Sequence, residues 1–332
     1  MTTAVVILNW NGRTLLEKFL PSVVSLSPEA NVYVADNAST DGSVDVVKQK
    51  FPEVKIIQNR ENGGYARGYN EALKDLEEEI LILLNSDAEV TPGWLRPILE
   101  IFENENNVAA VQPKILDYNR KNYFEYAGAA GGYLDKYGYA FCRGRIFETL
   151  EEDHGQYNNV ANIFWASGAC FAIKNQVFKK AGGFDEDFFA HQEEIDLCWR
   201  LNNLGYRIKF AGNSSIYHVG GATLSNINPR KTYFNFRNNL YLLLKNLPSS
   251  QLIPILLMRM VLDGLAAFRF LAQGKFSHFF AIFRAHLSFY SHFSAIRNKR
   301  KNIAHKKEYF RINSIVSSYF IAGKRKFTDL KN

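Results

Sequence analysis

Short apolar runs alternate with amphipathic stretches through the first third of the chain. The runs are rich in β-branched residues and end in polar ones, which predicts strands at 4–8, 32–35, 54–58, 80–84 and 108–111. Between them, apolar residues recur at helical spacing, as over 65–76. Strands that alternate with helices predict an α/β fold, in which a mostly parallel sheet is flanked by helices.

The middle of the chain changes character twice. Residues 117–159 are rich in Gly, Tyr and charge and follow neither period. We expect a small hairpin layer beside the sheet there, because structureless loops of this length are uncommon in compact domains. A helix is predicted to begin near Glu193 and to end at Gly205, and alternation over 206–210 predicts a further strand.

The C-terminal part of the chain is strongly basic. From Gln251 onward there are 15 Lys/Arg against 3 Asp/Glu, whereas the first 250 residues have 25 against 30. The apolar stretch 252–272 contains Arg259 and Asp263, so a transmembrane helix is not expected. With the basic cluster 297–301 nearby, the pattern fits a helix on an anionic membrane surface. A helical appendage that packs on the rest of the chain or on a second subunit explains the pattern equally well.

The composition limits the class of protein and the compartment in which it is expected. A chain of 332 residues with 47% hydrophobic content can bury a full core. The three cysteines, Cys142, Cys170 and Cys198, are odd in number and lack Cys-x-x-Cys spacing, which argues against a disulfide framework and a zinc site. The first apolar run lacks the basic residues of a secretion signal. We therefore expect a cytoplasmic protein.

Polar residues follow four of the predicted strands. Amides, carboxylates and glycines fill the stretches 9–12, 36–42, 59–64 and 85–89. In open α/β sheets, ligands bind outside these carboxyl ends. No G-x-G-x-x-G follows the first strand and no G-x-x-x-x-G-K-[ST] is present, so a dinucleotide dehydrogenase or a P-loop enzyme would lack its phosphate cradle. A divalent metal is the alternative means of neutralising a diphosphate.

Two residues are candidate metal ligands. Asp87 lies just beyond the run 80–84, where a hard oxygen ligand for Mg²⁺ or Mn²⁺ can reach the crevice, although an Asx turn before the next helix would also explain it. His218 precedes Gly220 and Gly221. A lone histidine is commonly structural, but such glycines let the backbone approach a ligand closely.

A second cluster of acids precedes the predicted helix at Glu193. Acids in a first helical turn can serve simply as partners of the helix dipole. The apolar residues 188–190 nonetheless place Glu193 or Glu194 near a partly dry pocket, where a carboxylate could act as a general base.

Taken in order, eight motifs resemble the family-2 glycosyltransferases of the GT-A fold, especially bacterial rhamnosyltransferase-like and galactofuranosyltransferase-like members. The motifs are VVILNWNG, ADNASTDGS, NGGYARGYN, LLNSD, SGAC, GGFDE, EEIDLCWR and HVGG, and the resemblance covers residues 3–245. It implies a GT-A, Rossmann-like catalytic domain over 1–245, with a nucleotide-binding half (1–115) and an acceptor-binding half (116–245). A helical, basic region follows at 246–332.

The resemblance also implies roles for single residues. The expected donor-binding residues are Asn9, Asn11, Asp36, Asn62, Gly63, Arg67, Asn85 and Ser86. Asp36 is expected to accept a hydrogen bond from the pyrimidine ring. Asp87 matches the metal-binding acid of the family's Asp-x-Asp element, and His218 matches a histidine that completes metal or diphosphate binding. Glu194 matches the position of the base.

Two departures from the family pattern and one ambiguity accompany these assignments. Asn85 stands at the first position of the Asp-x-Asp element, which removes one charge and leaves a contribution from Glu89 open. The base position holds Glu194 instead of the commoner Asp, so Glu193 remains a rival. Trp165, Ser167 and Gly168 are expected to shape the acceptor site, although Trp165 could equally belong to the core.

The function that the resemblance implies is inverting, Mn²⁺- or Mg²⁺-dependent transfer of a sugar, rhamnose or another hexose. The donor would be a nucleoside-diphosphate sugar and the acceptor a glycan or lipid-linked glycan, in cell-surface polysaccharide or lipopolysaccharide assembly. We expect a cytoplasmic protein whose C-terminal region contacts the inner face of the plasma membrane. A non-catalytic nucleotide-sugar-binding or glycan-binding relative is the alternative. A nucleic-acid partner is not expected, because the basic region contains no recognisable binding motif.

Overall fold

A computed structural model describes residues 1–220, 228–300 and 305–330. Within these ranges the strands are β1 (Thr3–Asn9), β2 (Asn31–Asp36), β3 (Lys55–Gln58), β4 (Ile80–Asn85), β5 (Ala88–Val90), β6 (Val108–Asp117), β7 (Gly132–Leu134), β8 (Ala140–Cys142), β9 (Arg145–Ile146), β10 (Thr149–Leu150), β11 (Ala161–Ile163), β12 (Cys170–Lys174) and β13 (Arg207–His218). All five strands predicted in the first third are confirmed as β1 to β4 and β6.

The helices of the same ranges are α1 (Arg13–Ser25), α2 (Ser43–Lys50), α3 (Gly64–Leu73), α4 (Leu95–Asn104), α5 (Asn175–Lys180), α6 (Glu193–Asn203), α7 (Pro229–Asn246), α8 (Ser249–Ala272) and α9 (Phe276–Lys299). A short 3-10 turn at Glu186–Phe188 precedes α6. Helix α6 begins at Glu193, as its acidic first turn predicts.

The main sheet has the strand order β11-β13-β6-β12-β4-β1-β2-β3, with β5 added against β13. Strands β4, β1, β2 and β3 are parallel neighbours. Buried apolar residues pack on both faces of the sheet, with Val6 and Leu83 on one and Val5 and Ile82 on the other. A strand that is buried on both faces is a continuous apolar run, which explains why these strands are visible in the sequence.

Strand β12 runs antiparallel between β4 and β6. This placement brings the turn before β12 beside the end of β4, where the Asn85 backbone N–H donates to the Ala169 carbonyl at 3.0 Å. The stretch 117–159, expected to form a small hairpin layer, contains the second sheet, in the order β10-β9-β8-β7.

The C-terminal helices pack on the body of the protein. The side chains of Thr232 and His278, near the starts of α7 and α9, are joined by a 2.8 Å hydrogen bond. Near the ends of the same helices, Lys245 and Lys299 both bind Asp185. Helices α7 and α9 therefore lie side by side and run in the same direction. Helix α8 runs the opposite way, from the end of α7 back to the start of α9.

The last described segment, 305–330, runs back along the second sheet. Ile312 forms a parallel bridge with Asp135, and the Tyr309 ring stacks on the Trp199 ring with centroids 4.8 Å apart. The C-terminal region thus contacts the stretch 116–245 at two separate places, Asp135 and Trp199. Among the described residues, no helix is long and apolar enough to cross a membrane. Lys301 of the basic cluster lies outside the described residues.

Candidate active site

The ends of β1 and β2 form the first part of the site. Asn9 lies opposite Asp36 in the strand register, and its amide nitrogen donates to Asp36 Oδ1 at 3.0 Å and to Ser43 Oγ at 2.9 Å. Asp36 Oδ2 accepts the Ser39 backbone N–H at 2.9 Å. Asp36 therefore holds the loop after β2. Asn9 Oδ1 is buried and has no hydrogen-bond partner in the described part of the chain.

Asn11 fixes the same loop from the other side. Its backbone lies in the left-handed region, with φ of 49°. Its amide oxygen accepts the Thr40 backbone N–H at 2.8 Å, and its own N–H donates to Ser39 Oγ at 2.9 Å. Left-handed backbone at a non-glycine residue costs free energy and is common at ligand sites.

The start of α3 carries three of the expected donor-binding residues. The Asn62 amide oxygen accepts the Gly64 N–H at 3.0 Å, and Gly63 lies directly against the Arg67 side chain. The Arg67 guanidinium is held by Glu61 at 2.5 Å and Glu71 at 2.8 Å, and 43% of the side chain is exposed. In this structure the Arg67 charge is therefore already paired.

The end of β4 meets the end of β13 at the candidate metal site. His218 Nε2 lies 3.0 Å from Asp87 Oδ1 and 3.1 Å from the Asn85 amide nitrogen. Pairing of β13 with β5, which places His218 opposite Ala88, brings these residues together. Ser86 lies between Asn85 and Asp87 and is half-buried. Glu89 points elsewhere, because its carboxylate binds Lys121 at 2.7 Å.

Glu125, which the sequence analysis missed, completes this cluster. Its Oε2 lies 3.3 Å from His218 Nδ1 and accepts the Ala127 backbone N–H at 2.6 Å. Both Glu125 and His218 are buried. Gly220 lies against Glu125 with φ of 69°, and a methyl carbon added there would lie 2.6 Å from Glu125 Oε1. A carboxylate behind a histidine fixes which ring nitrogen faces a ligand.

The electrostatics of the cluster depend on both acids. Burial lowers the pKa of His218, but the hydrogen bonds and charges of Asp87 and Glu125 outweigh it and raise the pKa to about 10. Burial also acts against ionisation of Asp87, yet the hydrogen bond and charge of His218 lower the Asp87 pKa below its ordinary value. A divalent cation binds the unprotonated imidazole nitrogen, so a cation and a proton would compete for Nε2.

The cluster contains two groups that can bind a divalent cation, the Asp87 carboxylate and the His218 Nε2 atom, which lie 3.0 Å apart. The Asn85 amide faces His218 with its nitrogen, so it would bind a cation only through its oxygen, after the amide has turned. The described residues contain no cluster of three or more His, Cys, Asp or Glu side chains that could enclose a metal. Mg²⁺ is commonly held by few protein side chains together with substrate phosphates, so the small donor set is compatible with a diphosphate-bound cation.

Two buried carboxylates form the second reactive part of the site. Glu193 is 4% exposed and Glu194 is half-buried, and Oε2 of each is buried with no hydrogen-bond partner among the described residues. Burial raises the pKa of Glu194 to about 7, against backbone N–H groups of the first turn of α6. Burial and the Glu194 charge raise the pKa of Glu193 well above its ordinary value.

The loop that leads into α6 is held in an unusual backbone conformation. Phe189, His191 and Gln192 all have positive φ, between 62° and 72°. The Asn238 side-chain amide, on α7, donates to the carbonyl groups of Phe188, Ala190 and His191, at 3.0, 2.9 and 2.7 Å. This single buried amide stabilises the strained loop, and nothing in the sequence pattern marked it.

His191 was also overlooked. Its Nε2 is buried without a partner among the described residues, and burial together with the Lys231 charge lowers its pKa to about 4. It is therefore a neutral imidazole at neutral pH, two residues before Glu193.

The expected acceptor-binding residues divide into two groups. The Trp165 ring is 2% exposed, packs against Gly132 and donates its N–H to the Tyr133 carbonyl at 3.0 Å. These contacts correct the assignment of Trp165 to the acceptor site in favour of the core, because the ring has no free face. Ser167 is also buried, whereas the Gly168 carbonyl accepts the Tyr65 hydroxyl at 2.9 Å.

The metal-site residues and the α6 carboxylates lie in one region of the molecule. The Tyr65 hydroxyl donates to the Gly168 carbonyl at 2.9 Å, and the next carbonyl, that of Ala169, accepts the Asn85 backbone N–H at 3.0 Å. The Tyr65 backbone N–H donates to the Phe189 carbonyl at 2.9 Å, in the loop before α6. These contacts connect the polar strand ends and the candidate cation site to the α6 carboxylates.

A family model described as "Glycosyl transferase family 2" matches residues 4–182, more than half of the chain. This chain belongs to glycosyl transferase family 2. The match covers β1 to β12, including Asn9, Asp36, Asn85 and Asp87, and ends before α6.

The chain is also similar to individual proteins and to a solved structure. It is 26% identical over 219 residues to an N-acetylglucosaminyl-diphospho-decaprenol L-rhamnosyltransferase of Mycobacterium tuberculosis, covering 61% of this chain and 71% of the relative. It is 26% identical over 215 residues to an O-antigen biosynthesis protein, RfbC, of Myxococcus xanthus, covering 64% of this chain and 16% of that protein. The crystal structure of GalNAc-T7 with UDP, GalNAc and Mn²⁺ matches with a TM-score of 0.60 at 16% identity.

That structural match covers 75% of this chain and 48% of the GalNAc-T7 chain, so this chain spans about half the length of that neighbour. A likeness at this identity shows the fold. The GT-A fold class and the membership of family 2 expected from the eight motifs are confirmed.

Proposed function

We propose that this chain transfers a sugar from a nucleoside-diphosphate donor to an acceptor hydroxyl, with inversion at the anomeric carbon. The observation that carries the proposal is Glu194. Its Oε2 atom, at the start of α6, is buried without a hydrogen-bond partner among the described residues, and its carboxyl group has a pKa of about 7. It lies in the same region as the Asp87–His218 cluster. A carboxylate near neutral pKa is suited to accept a proton at physiological pH.

Glu194 is the base in this proposal. Glu194 Oε2 takes the proton of the acceptor hydroxyl while the hydroxyl oxygen forms a bond to the anomeric carbon. The bond from that carbon to the diphosphate oxygen breaks on the opposite face, and its electron pair leaves with the diphosphate. Glu193 is the rival for this role, and burial together with the Glu194 charge raises its pKa.

The donor lies across the strand ends in this proposal. Asn9, with its unpaired amide oxygen, and Asp36 contact the nucleoside, and Asn62 and Gly63 line the ribose and diphosphate. Asn85, Asp87 and His218 hold a divalent cation, Mn²⁺ or Mg²⁺, which supplies positive charge to the leaving diphosphate. Arg67 reaches the diphosphate only if it leaves Glu61 or Glu71.

The acceptor is proposed to be a lipid-linked glycan in cell-surface polysaccharide assembly. The M. tuberculosis relative is named for a diphospho-decaprenol-linked substrate, and the M. xanthus relative for O-antigen biosynthesis. Gly168, Tyr65 and the loop at Phe189 lie on the side of the carboxylates, where the acceptor hydroxyl must approach. We propose that the reaction takes place at the inner face of an anionic membrane, which the C-terminal region contacts.

The decisive experiment compares Glu194→Gln with Glu193→Gln. A positioned base contributes on the order of 10²–10⁴-fold, so Glu194→Gln should reduce transfer by that factor while nucleotide affinity is retained. Glu193→Gln should keep most of the activity, because it leaves the proposed base, Glu194, unchanged. If Glu193→Gln shows the large loss and Glu194→Gln does not, the base is Glu193.

A single panel of nucleotide sugars and metal ions tests both the donor class and the metal requirement. UDP-, dTDP- and GDP-sugars are incubated with the protein and with Mn²⁺, Mg²⁺ or EDTA, and released nucleoside diphosphate is measured. We expect release from one nucleotide class and only with metal. Asp87→Ala should abolish the metal dependence of nucleotide binding, and unchanged nucleotide affinity with Mn²⁺ present would contradict the cation site.

A further inference from the structure

The outward face of α8 is a row of large apolar side chains. Five residues spaced by three or four positions are each more than half exposed: Ile253, Leu257, Val261, Leu265 and Phe268. Scattered exposed apolar residues are ordinary, but a contiguous row marks a surface that is covered in the working protein.

The inward face of α8 holds the charges. Arg259 is 5% exposed and Asp263 is fully buried, and their side chains are paired at 2.7 Å. His286 of α9 lies 3.2 Å from the other Asp263 oxygen, and the Arg259 guanidinium lies 3.8 Å from the Tyr139 ring centroid. A helix that faces water has its charges outside and its apolar residues inside. Helix α8 instead has this charged pair among its buried residues and a row of large apolar side chains on its exposed face, so that row is not adapted to water.

Helix α9 continues the apolar surface. Phe276, Phe280, Phe283, Leu287 and Tyr290 are each more than half exposed. We call the two exposed rows of α8 and α9 the apolar face. It belongs to a hairpin that packs on α7 through its other side, where Ala281, Ile282, Ala285 and Phe289 are buried.

The charges around the apolar face have a single sign. Arg269, Lys275, Arg284 and Arg297 are exposed, and Asp263, the one acid between Ser249 and Lys299, is buried. Basic side chains beside an apolar helix face are the pattern of helices that lie in the headgroup region of anionic membranes. A second copy of this chain would bring the same positive charges to the interface without an acid on the face to pair with them.

We propose that the apolar face docks this chain on an anionic lipid bilayer, with its aromatic and aliphatic side chains at the boundary between headgroups and acyl chains and its arginines and lysine on lipid phosphates. The face lies in the plane of the membrane surface, in keeping with the finding that no described helix can span a bilayer.

The position of the hairpin gives this docking a consequence, which rests on the proposed function. The turn between α8 and α9 lies beside the start of α7, because His278 binds Thr232. At the same end of α7, the Phe234 ring stacks on Phe189, in the loop before Glu193, with centroids 5.5 Å apart. The membrane-facing hairpin turn and the acceptor side of the site thus lie at one end of α7. A lipid-linked acceptor would reach Glu194 from the same bilayer.

The test is flotation of the full-length protein with vesicles at low salt. Vesicles of phosphatidylcholine with phosphatidylglycerol should carry the protein, and vesicles of phosphatidylcholine alone should carry much less. The double variant L265S/F268S should bind at least about tenfold more weakly, because two large apolar side chains no longer enter the lipid. Val160→Ser, which removes a 47% exposed apolar residue of the catalytic domain, is the matched control and should bind like the unaltered protein.

Charge variants test the second half of the proposal. Arg269→Gln and Lys275→Gln should each reduce binding to anionic vesicles about fivefold. Equal binding of the unaltered protein to neutral and anionic vesicles, or no binding to either, would overturn the proposal. A dimer in solution that L265S/F268S converts to monomer, without vesicle binding, would assign the face to a second copy instead.

Metal-dependent release of nucleoside diphosphate, measured in the same variants without vesicles, separates this proposal from the proposed function. L265S/F268S should keep that activity. A variant that loses vesicle binding but still cleaves the donor leaves the enzyme assignment intact. An unaltered protein that binds vesicles but cleaves no donor contradicts the enzyme assignment and not the membrane docking.

Discussion

Glu125 Oε2 lies 3.3 Å from His218 Nδ1, on the side of the imidazole ring opposite Asp87. The ring is therefore held between two buried carboxylates. Nδ1 faces Glu125 without an aligned hydrogen bond, and Nε2 faces Asp87 and Asn85. A histidine that binds a metal through one ring nitrogen commonly donates the other N–H to a carboxylate, which sets the orientation and the basicity of the ligand.

Glu125→Gln should weaken divalent-metal binding about 10- to 100-fold, the usual effect of losing such a supporting carboxylate. Titration of Mn²⁺ in the presence of the nucleoside diphosphate, followed by electron paramagnetic resonance or calorimetry, measures this without any sugar transfer. Glu53→Gln, an exposed acid on the surface, is the control and should not change the affinity. Equal Mn²⁺ affinity in Glu125→Gln and the unaltered protein would show that Glu125 is a structural residue alone.

Transfer activity should depend on the ionisation of Glu194. Because its pKa is raised to about 7, the carboxylate is protonated, and inactive as a base, below that pH. We expect kcat/KM to fall about tenfold for each pH unit below about 7 and to level off above it. Initial rates measured across this range at saturating metal check the profile. The residual activity of Glu194→Gln should lack this inflection, and the same inflection in that variant would assign it to another group.

Much of the fold could be predicted because most strands of the main sheet are buried on both faces, although the edge strand β3 is only partly buried. Continuous apolar runs such as 80–84 marked β1 to β4 and β6, and the acidic first turn marked α6. The antiparallel insertion of β12 between β4 and β6 could not be predicted, because an apolar run carries no information about strand direction or neighbours. The exposure of the apolar row on the outward face of α8 could not be predicted either. In the sequence, Arg259 and Asp263 argued only against a transmembrane helix, because their burial depends on Tyr139 and His286, which are distant in sequence.

Site residues that belong to sequence motifs could be predicted, whereas site residues that the fold brings in from elsewhere could not. Asn85, Asp87 and Glu194 follow strand ends or begin a helix, so their positions were readable. Glu125 lies in the stretch without a period. It reaches His218 because its N–H binds the Ile115 carbonyl on β6, the strand that pairs with β13. Trp165 was ambiguous because an aromatic residue in a Gly-rich stretch fits both a core and a sugar-binding surface, and its burial under Gly132 decides for the core.

Lys245→Met should destabilise the protein strongly. Lys245 Nζ lies 2.7 Å from Asp185 and 2.8 Å from Asp196, and all three side chains are buried. Breaking a buried ion pair costs about 3–5 kcal/mol of unfolding free energy. We expect the lower end of this range, because Asp185 keeps Lys299 and Asp196 keeps Arg200 as a partner. Chemical denaturation measures the loss. Lys50→Met, which removes the exposed pair with Glu17, is the control and should cost at most about 1 kcal/mol.

The same cluster predicts an acid-sensitive contribution to stability. Burial opposes ionisation of Asp185, but the charges of Lys245 and Lys299 lower its pKa from 3.8 to about 2. A lowered carboxylate pKa stabilises the fold above the unfolded value, and the contribution disappears as pH falls from about 4 to about 2. The difference in unfolding free energy between the unaltered protein and Lys245→Met should therefore shrink over this range. A difference that stays constant would show that Asp185 ionisation does not stabilise the fold through Lys245.

Gly64→Ala should impair the catalytic loop, whereas Gly93→Ala should not. Both glycines have φ of +71°, so both variants carry the cost of a left-handed alanine, about 1–2 kcal/mol. At Gly93 nothing lies within 4 Å of the added methyl carbon, but at Gly64 it would lie 2.6 Å from the Phe189 carbonyl oxygen. That oxygen accepts the Tyr65 N–H at 2.9 Å and belongs to the loop before Glu193.

Displacing the Phe189 carbonyl should break that hydrogen bond and shift the start of α6. We therefore expect Gly64→Ala to be more destabilised than Gly93→Ala in chemical denaturation and to lose transfer activity at temperatures where both variants remain folded. Circular dichroism establishes the folded state, and initial rates with the identified donor give the activity. Equal stability and equal activity of the two variants would show that the contact between α3 and the Phe189 loop does not position the α6 carboxylates.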